Sequence, residues 1–107
     1  MGYVYELRFD VRPDQIKKLE MGGPLERVLS FLRARLPNEP GYITSRGMVS
    51  IDIPDRRIVV FQSVWEEWGD LDVHRQSGLL EDKAMEEFAH LKDEDLRIHI
   101  YEEVGPT

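Results

Sequence analysis

Apolar side chains recur at every second position from Tyr3 to Val11, as Tyr3, Tyr5, Leu7, Phe9 and Val11, with Glu6, Arg8 and Asp10 between them. That period of two predicts a half-buried strand. Pro13 and Asp14 then suit the first turn of a helix, where a proline's missing N–H is not needed and an acid complements the helix dipole. Ile16 and Leu19 follow. Gly22-Gly23-Pro24 interrupts the pattern, because glycine raises the entropic cost of helix and proline removes a hydrogen bond, so a kink or restart is expected. Beyond it Leu25, Val28, Leu29, Leu32 and Leu36 keep one helical face, with Arg27, Arg33 and Arg35 off it. Pro37, Pro40 and Gly41 end the helix.

Two strands are predicted next, Tyr42 to Ile53 and Arg57 to Trp65, joined as a hairpin through Pro54-Asp55-Arg56. Both alternating sets of the second are largely apolar, Ile58, Val60 and Val64 against Val59, Phe61 and Trp65, broken only by Gln62 and Ser63. A strand of that kind is covered on both faces. Helical spacing resumes in Leu71, Val73 and His74, pauses at Ser77-Gly78, and returns in Leu79, Leu80, Ala84, Met85, Phe88 and Leu91. The last strand alternates Leu96, Ile98 and Ile100 with Arg97, His99 and Tyr101, and Gly105-Pro106 closes the pattern. The order is βαββαβ, an α+β ferredoxin-like fold with a four-stranded antiparallel sheet, in one domain spanning residues 1–107. Two helical segments cover one sheet face and none is left for the other. With roughly 25 cal/mol per Å² of apolar surface at stake, a second copy of the chain is the expected cover and a homodimer the expected state; the alternative is a monomer whose second face is small and rimmed by Gln62, Glu6 and Arg8.

Composition narrows the chemistry. A formal net charge of −7 sets a field that repels phosphate backbones and anionic lipid, so no nucleic acid and no membrane is expected as a partner. The longest uncharged stretch, Ile58 to Trp65, is far short of the ~20 residues a membrane helix needs. The absence of cysteine excludes disulfides, thiolate metal sites and thiol nucleophiles, and with an acidic rather than basic start it points to the cytoplasm. The 3 histidines show no His-x-His or His-Glu-x-x-His spacing, so no metal is expected.

The stretch Trp65-Glu66-Glu67-Trp68-Gly69-Asp70-Leu71-Asp72-Val73-His74-Arg75-Gln76-Ser77 resembles the antibiotic biosynthesis monooxygenase family of dimeric α/β barrels. There an aromatic residue closes the third strand, a short acidic helix start follows, and a His-x-x-Ser lies nine residues beyond the aromatic, a spacing kept by Trp65, His74 and Ser77. Pro40-Gly41-Tyr42 is similar to the family's approach to its second strand. The resemblance implies a pocket between helices and sheet in each protomer. Gly22-Gly23-Pro24 and the stretch Gly78 to Glu86 depart from the family pattern on the walls of that pocket. The family includes cofactor-independent enzymes that oxidise polycyclic phenols to quinones, haem-degrading oxygenases, and proteins with no established activity. Against haem degradation, the pocket asparagine of those members falls at or beside Leu7, and their haem-ligating histidine near Lys83, Ala84 or Met85.

The resemblance and the residue types give a candidate site without a cofactor. His74 would polarise a substrate oxygen or shuttle a proton; its other reading is a histidine fixing helix to strand end. Trp65 would be a flat wall for an aromatic substrate, or simply a core anchor. Tyr5, Leu7, Tyr42, Arg46 and Ser77 are expected to line the site, the tyrosines through their hydroxyls and Arg46 as a bidentate anchor for a phenolate or carboxylate. The ligand expected is a small apolar or aromatic molecule, oxidised without a cofactor. The alternative is a barrel without catalysis, filled by its own side chains.

Overall fold

A computed structural model describes residues 2–20 and 23–105. Strand β1 (Tyr3–Asp10) leads through a 3-10 turn at Pro13–Gln15 into α1 (Ile16–Glu20), and α2 (Gly23–Arg35) follows, ending in a 3-10 turn at Leu36–Asn38. Then come β2 (Tyr42–Val49), β3 (Ile58–Trp65), α3 (Trp68–Ser77), α4 (Leu79–Phe88) and β4 (Arg97–Glu102). The strands form one antiparallel sheet in the order β2-β3-β1-β4, the predicted ferredoxin-like βαββαβ architecture. Gly23 and Pro24 stand in the first turn of α2, so the expected break is a restart. Gly22 and Pro106, which the sequence pattern also used, lie outside the described residues.

The hairpin differs from expectation. β2 ends at Val49 rather than Ile53, and β3 begins at Ile58 rather than Arg57. Ser50 makes the last cross-strand bonds: its N–H donates to the Ile58 carbonyl (2.9 Å) and its hydroxyl accepts from the Ile58 N–H (2.8 Å). Past it the Arg57 guanidinium donates to the carbonyls of Ile53 (2.9 Å) and Arg56 (2.8 Å), so a side chain satisfies groups that a ladder would otherwise use. Ile51 is left 84% exposed, with nothing to hold it as strand.

Register assigns the two sheet faces. Tyr5, Leu7 and Phe9 of β1 lie on the same face as Val59, Phe61 and Trp65 of β3, all fully buried under the helices. Leu19, Val28, Leu32, Leu71, Leu80, Ala84 and Phe88 meet them from the helical layer. Phe88 packs against Phe9 (ring centroids 4.9 Å) and Phe61 (6.2 Å), which fixes α4 over the sheet centre. The opposite face carries no helix. There Ile58, Val60 and Val64 are half-buried, as the doubly apolar pattern of β3 requires, but Glu6 in the adjacent strand is buried as well.

Candidate functional site

Trp65 ends β3, and α3 begins three residues later, so the strand end and the first turns of the helix are held together by a short connection. Gly41 locks the preceding loop onto that junction. Its φ of +77° is in the left-handed region, its carbonyl accepts the Glu66 N–H (2.8 Å), and a Cβ there would overlap the Asp70 carboxylate, so glycine is required. The result is a cleft of about 50 Å³ lined by Glu39, Pro40, Trp65, Asp70, Val73 and His74.

His74 projects from α3 into the layer between helices and sheet and is 5% exposed. Its imidazole stacks on the Trp65 indole (centroids 4.8 Å, interplanar angle 27°) and receives the edge of Tyr5 (5.2 Å, 84°). The indole N–H of Trp65 donates to the Ser63 hydroxyl (2.8 Å), which fixes the ring. Tyr5 donates its hydroxyl to the Glu81 carboxylate of α4. Burial, then that hydrogen bond, pushes the Tyr5 phenol well above its ordinary value, and burial raises Glu81. Burial alone lowers His74 from 6.5 to about 4, so at neutral pH the imidazole is uncharged. Among the described residues its Nε2 has no hydrogen-bond partner. An orphaned buried nitrogen costs about 1–3 kcal/mol, and it gives a ligand that supplies a partner a binding advantage of the same origin.

The structure thus brings His74 and Trp65 together at the cleft and places Tyr5 directly behind them. Tyr42 packs edge-on against Trp65 (5.8 Å) and shares a hydrogen bond with Ser45 (2.8 Å). Leu7 is sealed in the core. Ser77 serves the backbone: its hydroxyl donates to the His74 carbonyl (2.6 Å) and accepts from the Leu79 N–H (3.2 Å), bridging α3 and α4 where Gly78 turns the chain at φ +66°. Arg46 is not brought to the cleft. Its pairing with Gln62 puts it on the uncovered sheet face, so the expectation that it anchors a ligand beside Trp65 is corrected by strand register. One face of the Trp65 indole is occupied by His74. Sequence reasoning missed Glu39, Asp70, Glu81 and Ser63, though Ser63 was legible as the polar break in a buried apolar run.

Full-length likenesses exist among solved structures. A provisionally named antibiotic biosynthesis monooxygenase from Nitrosomonas europaea superposes with TM-score 0.67 at 19% identity, covering 99% of this chain and 93% of that one. SnoaB, a cofactor-independent oxygenase from Streptomyces nogalater, does so with TM-score 0.62 at 14% identity, covering 98% and 95%. The fold is that of the antibiotic biosynthesis monooxygenases. The de novo designed protein Foldit4 also matches, with TM-score 0.61 at 10% identity over 96% of this chain and 99% of that one. Because a designed chain reaches the same antibiotic biosynthesis monooxygenase fold, the likeness speaks for architecture, and activity has to be argued from the site. No protein-family model matches the chain, and no curated protein matches it by sequence. Among the described residues no group of three or more His, Asp and Glu could hold a metal, and no helix is long and apolar enough to cross a membrane.

Proposed function

We propose that the protein is a two-fold α/β-barrel dimer that binds a small, largely aromatic molecule beside Trp65 and His74 and oxidises a quinol or anthrone with O₂ and no cofactor. The observation that carries the reading is the uncharged imidazole of His74, stacked on Trp65 at the cleft, with its buried Nε2 left unpaired. Neutral Nε2 accepts a hydrogen bond from a substrate hydroxyl and orients it; the ionised substrate gives electrons to O₂. At an activated CH₂, a C–O bond forms to give a hydroperoxide, which loses water to leave a carbonyl, one oxygen atom in the product and one in water. The dimer rests on the helix-free sheet face, where Val4, Ile58, Val60 and Val64 form a half-buried apolar surface around Glu6.

Oxygen uptake with reduced quinols and anthrones tests the activity. Turnover lost in both His74→Ala and the ring-preserving His74→Phe supports it, and equal rates in wild type and variants would remove the catalytic claim. Sedimentation at micromolar concentration tests the dimer: two-chain mass in wild type and one-chain mass in Val60→Glu are expected, and a wild-type monomer would refute it.

A second reading, a barrel without catalysis, is favoured by cleft size. About 50 Å³ holds a hydroxyl- or ammonium-sized group but not a ring, so an aromatic substrate must displace Val73 or the Glu39-Pro40 loop. A panel of quinols that neither consumes oxygen nor perturbs Trp65 fluorescence would establish that reading instead.

A further inference from the structure

Covering the helix-free sheet face takes its charged groups out of water, and each then needs a counter-charge. Register places Glu6, Arg8, Asp10, Arg46 and Arg97 on that face, with Glu103 just past the end of β4. Most are satisfied within the chain: Glu6 pairs with Arg8 (3.1 Å) and Asp10 with Arg97 (2.9 Å). Two are left over. Among the described residues Arg46 bonds only to the neutral Gln62, and the Glu103 side chain has neither an ion pair nor a hydrogen bond. Both border one hollow of about 420 Å³, whose walls also include Thr44, Gln62 and Val64. They do not pair with each other in the single chain. Asp52, a further unpaired acid near this face, stands on the β2–β3 loop at the other end of β3 and shares no wall with Arg46.

Neither group is loose. Gln62 donates to the buried Glu6 (2.8 Å) and accepts from Arg46 Nε (2.9 Å), which orients the guanidinium and leaves both Nη groups without a partner among the described residues. Glu103 continues the sheet ladder, its N–H donating to the Gly2 carbonyl (2.8 Å).

We propose that Arg46 and Glu103 are the recognition pair of the two-chain barrel, Arg46 of each copy meeting the partner's Glu103. The inference rests on the dimer of helix-free faces and deepens that reading by naming the groups that select an identical partner. A two-fold interface is self-complementary: where one residue meets a second across the axis, the second also meets the first. A face whose hollow leaves one charge of each sign unpaired is therefore matched by its own copy, through two equivalent bridges. A purely apolar cover would bury both charges unpaired.

The charge reversals Arg46→Glu and Glu103→Arg, made in separate full-length chains, test the pair alone and mixed. Sedimentation and native mass spectrometry at low salt follow the dimer, the latter resolving the two chains by mass. Alone, each reversal turns two attractive contacts into two repulsive ones and should weaken the dimer about a hundred-fold, ten-fold for each contact. Mixed in equal amounts, the two variants should form a heterodimer of near wild-type affinity, because opposite charges meet again at both contacts. A pair formed within one chain gains nothing from mixing. Arg46→Gln and Glu103→Gln, which add no repulsion, guard against a folding defect: each should weaken the dimer about ten-fold, and the double variant no more than either alone. A wild-type dimer indifferent to these substitutions, or reversals that mixing does not rescue, overturns the recognition pair and leaves the dimer standing. A wild-type chain that stays single at micromolar concentration removes both.

Discussion

The two faces of the sheet are built from the same four strands and solve the same problem differently. Under the helices, Tyr5, Leu7, Phe9, Val59 and Phe61 are fully buried, and packing does the work. On the open face Arg46 donates to Gln62 (2.9 Å), Gln62 donates to Glu6 (2.8 Å), and Tyr101 (2.9 Å) and Arg8 (3.2 Å) donate to the other oxygen of Glu6. Asp10, farther along β1, pairs with Arg97 (2.9 Å) and Arg56 (3.1 Å). A face with no cover in its own chain thus carries its charge already neutralised across the strands. The lesson is that alternation alone reads as apolar against polar, whereas the open face is an apolar surface divided by a hydrogen-bonded seam.

The largest expected break in this comparison is on the covered side. Phe88→Ala removes the ring that joins Phe9 and Phe61 and should cost about 3–5 kcal/mol, whereas Val60→Ala on the open face, measured in dilute single chains, should cost about 1 kcal/mol or less. Urea unfolding of both variants checks it. Comparable losses would mean that the open face is as tightly packed as the covered one.

The faces should also respond to acid in different windows. His74 has a folded pKa near 4 against 6.5 unfolded, so the unfolded chain takes up the proton first, and stability present above pH 6.5 is lost as pH falls toward 4. The full loss is about 3 kcal/mol. His74→Phe, which retains the ring on Trp65, should flatten the stability curve in that window. A slope that persists in the variant would assign the acid sensitivity elsewhere.

Glu6 acts lower on the scale. Burial pushes its carboxyl up, but hydrogen bonds from Gln62 and Tyr101 and the Arg8 guanidinium together outweigh burial and hold it below the usual carboxylate range. Its contribution is therefore complete above the unfolded carboxylate value of about 4.3 and lost as pH falls through the lower folded one. Glu6→Gln should cost about 1–2 kcal/mol at neutral pH, since charge-assisted bonds become neutral ones, and should remove part of the slope below pH 4. A neutral-pH cost near zero would show that the seam is idle in the single chain.

Much of this was legible in the residues and some was not, for definable reasons. The period-two run Tyr3 to Val11 and the doubly apolar β3 fixed strand identity, and Ser77-Gly78 marked the junction of α3 and α4, because each depends on local spacing. Arg46 was misplaced, and Glu6 was read only as a polar position rather than a buried one, because both roles depend on cross-strand register, which one strand cannot report. Glu81 reads locally as a solvated acid at a helix start, and only the fold brings Tyr5 to it across 76 positions. The β2 overextension has the same origin: Ile51 and Ile53 have strand propensity but no partner face.

The smallest expected effect tests how far the seam is a single unit. Arg46 is exposed and reaches Gln62 through one Nε–H bond, so water can replace it, and Arg46→Ala should change stability by no more than about 0.5 kcal/mol. Gln62 is different, because its amide donates to Glu6 while its oxygen accepts from Arg46. Gln62→Leu removes a bond from the buried carboxylate and should raise the Glu6 pKa, whereas Arg46→Ala leaves that bond in place and should not move it. Carboxyl NMR titration of the two variants separates the cases. If Arg46→Ala raised the Glu6 pKa as much as Gln62→Leu, the amide's orientation would depend on Arg46, and the seam would behave as one cooperative chain rather than as a buried acceptor with a replaceable outer donor.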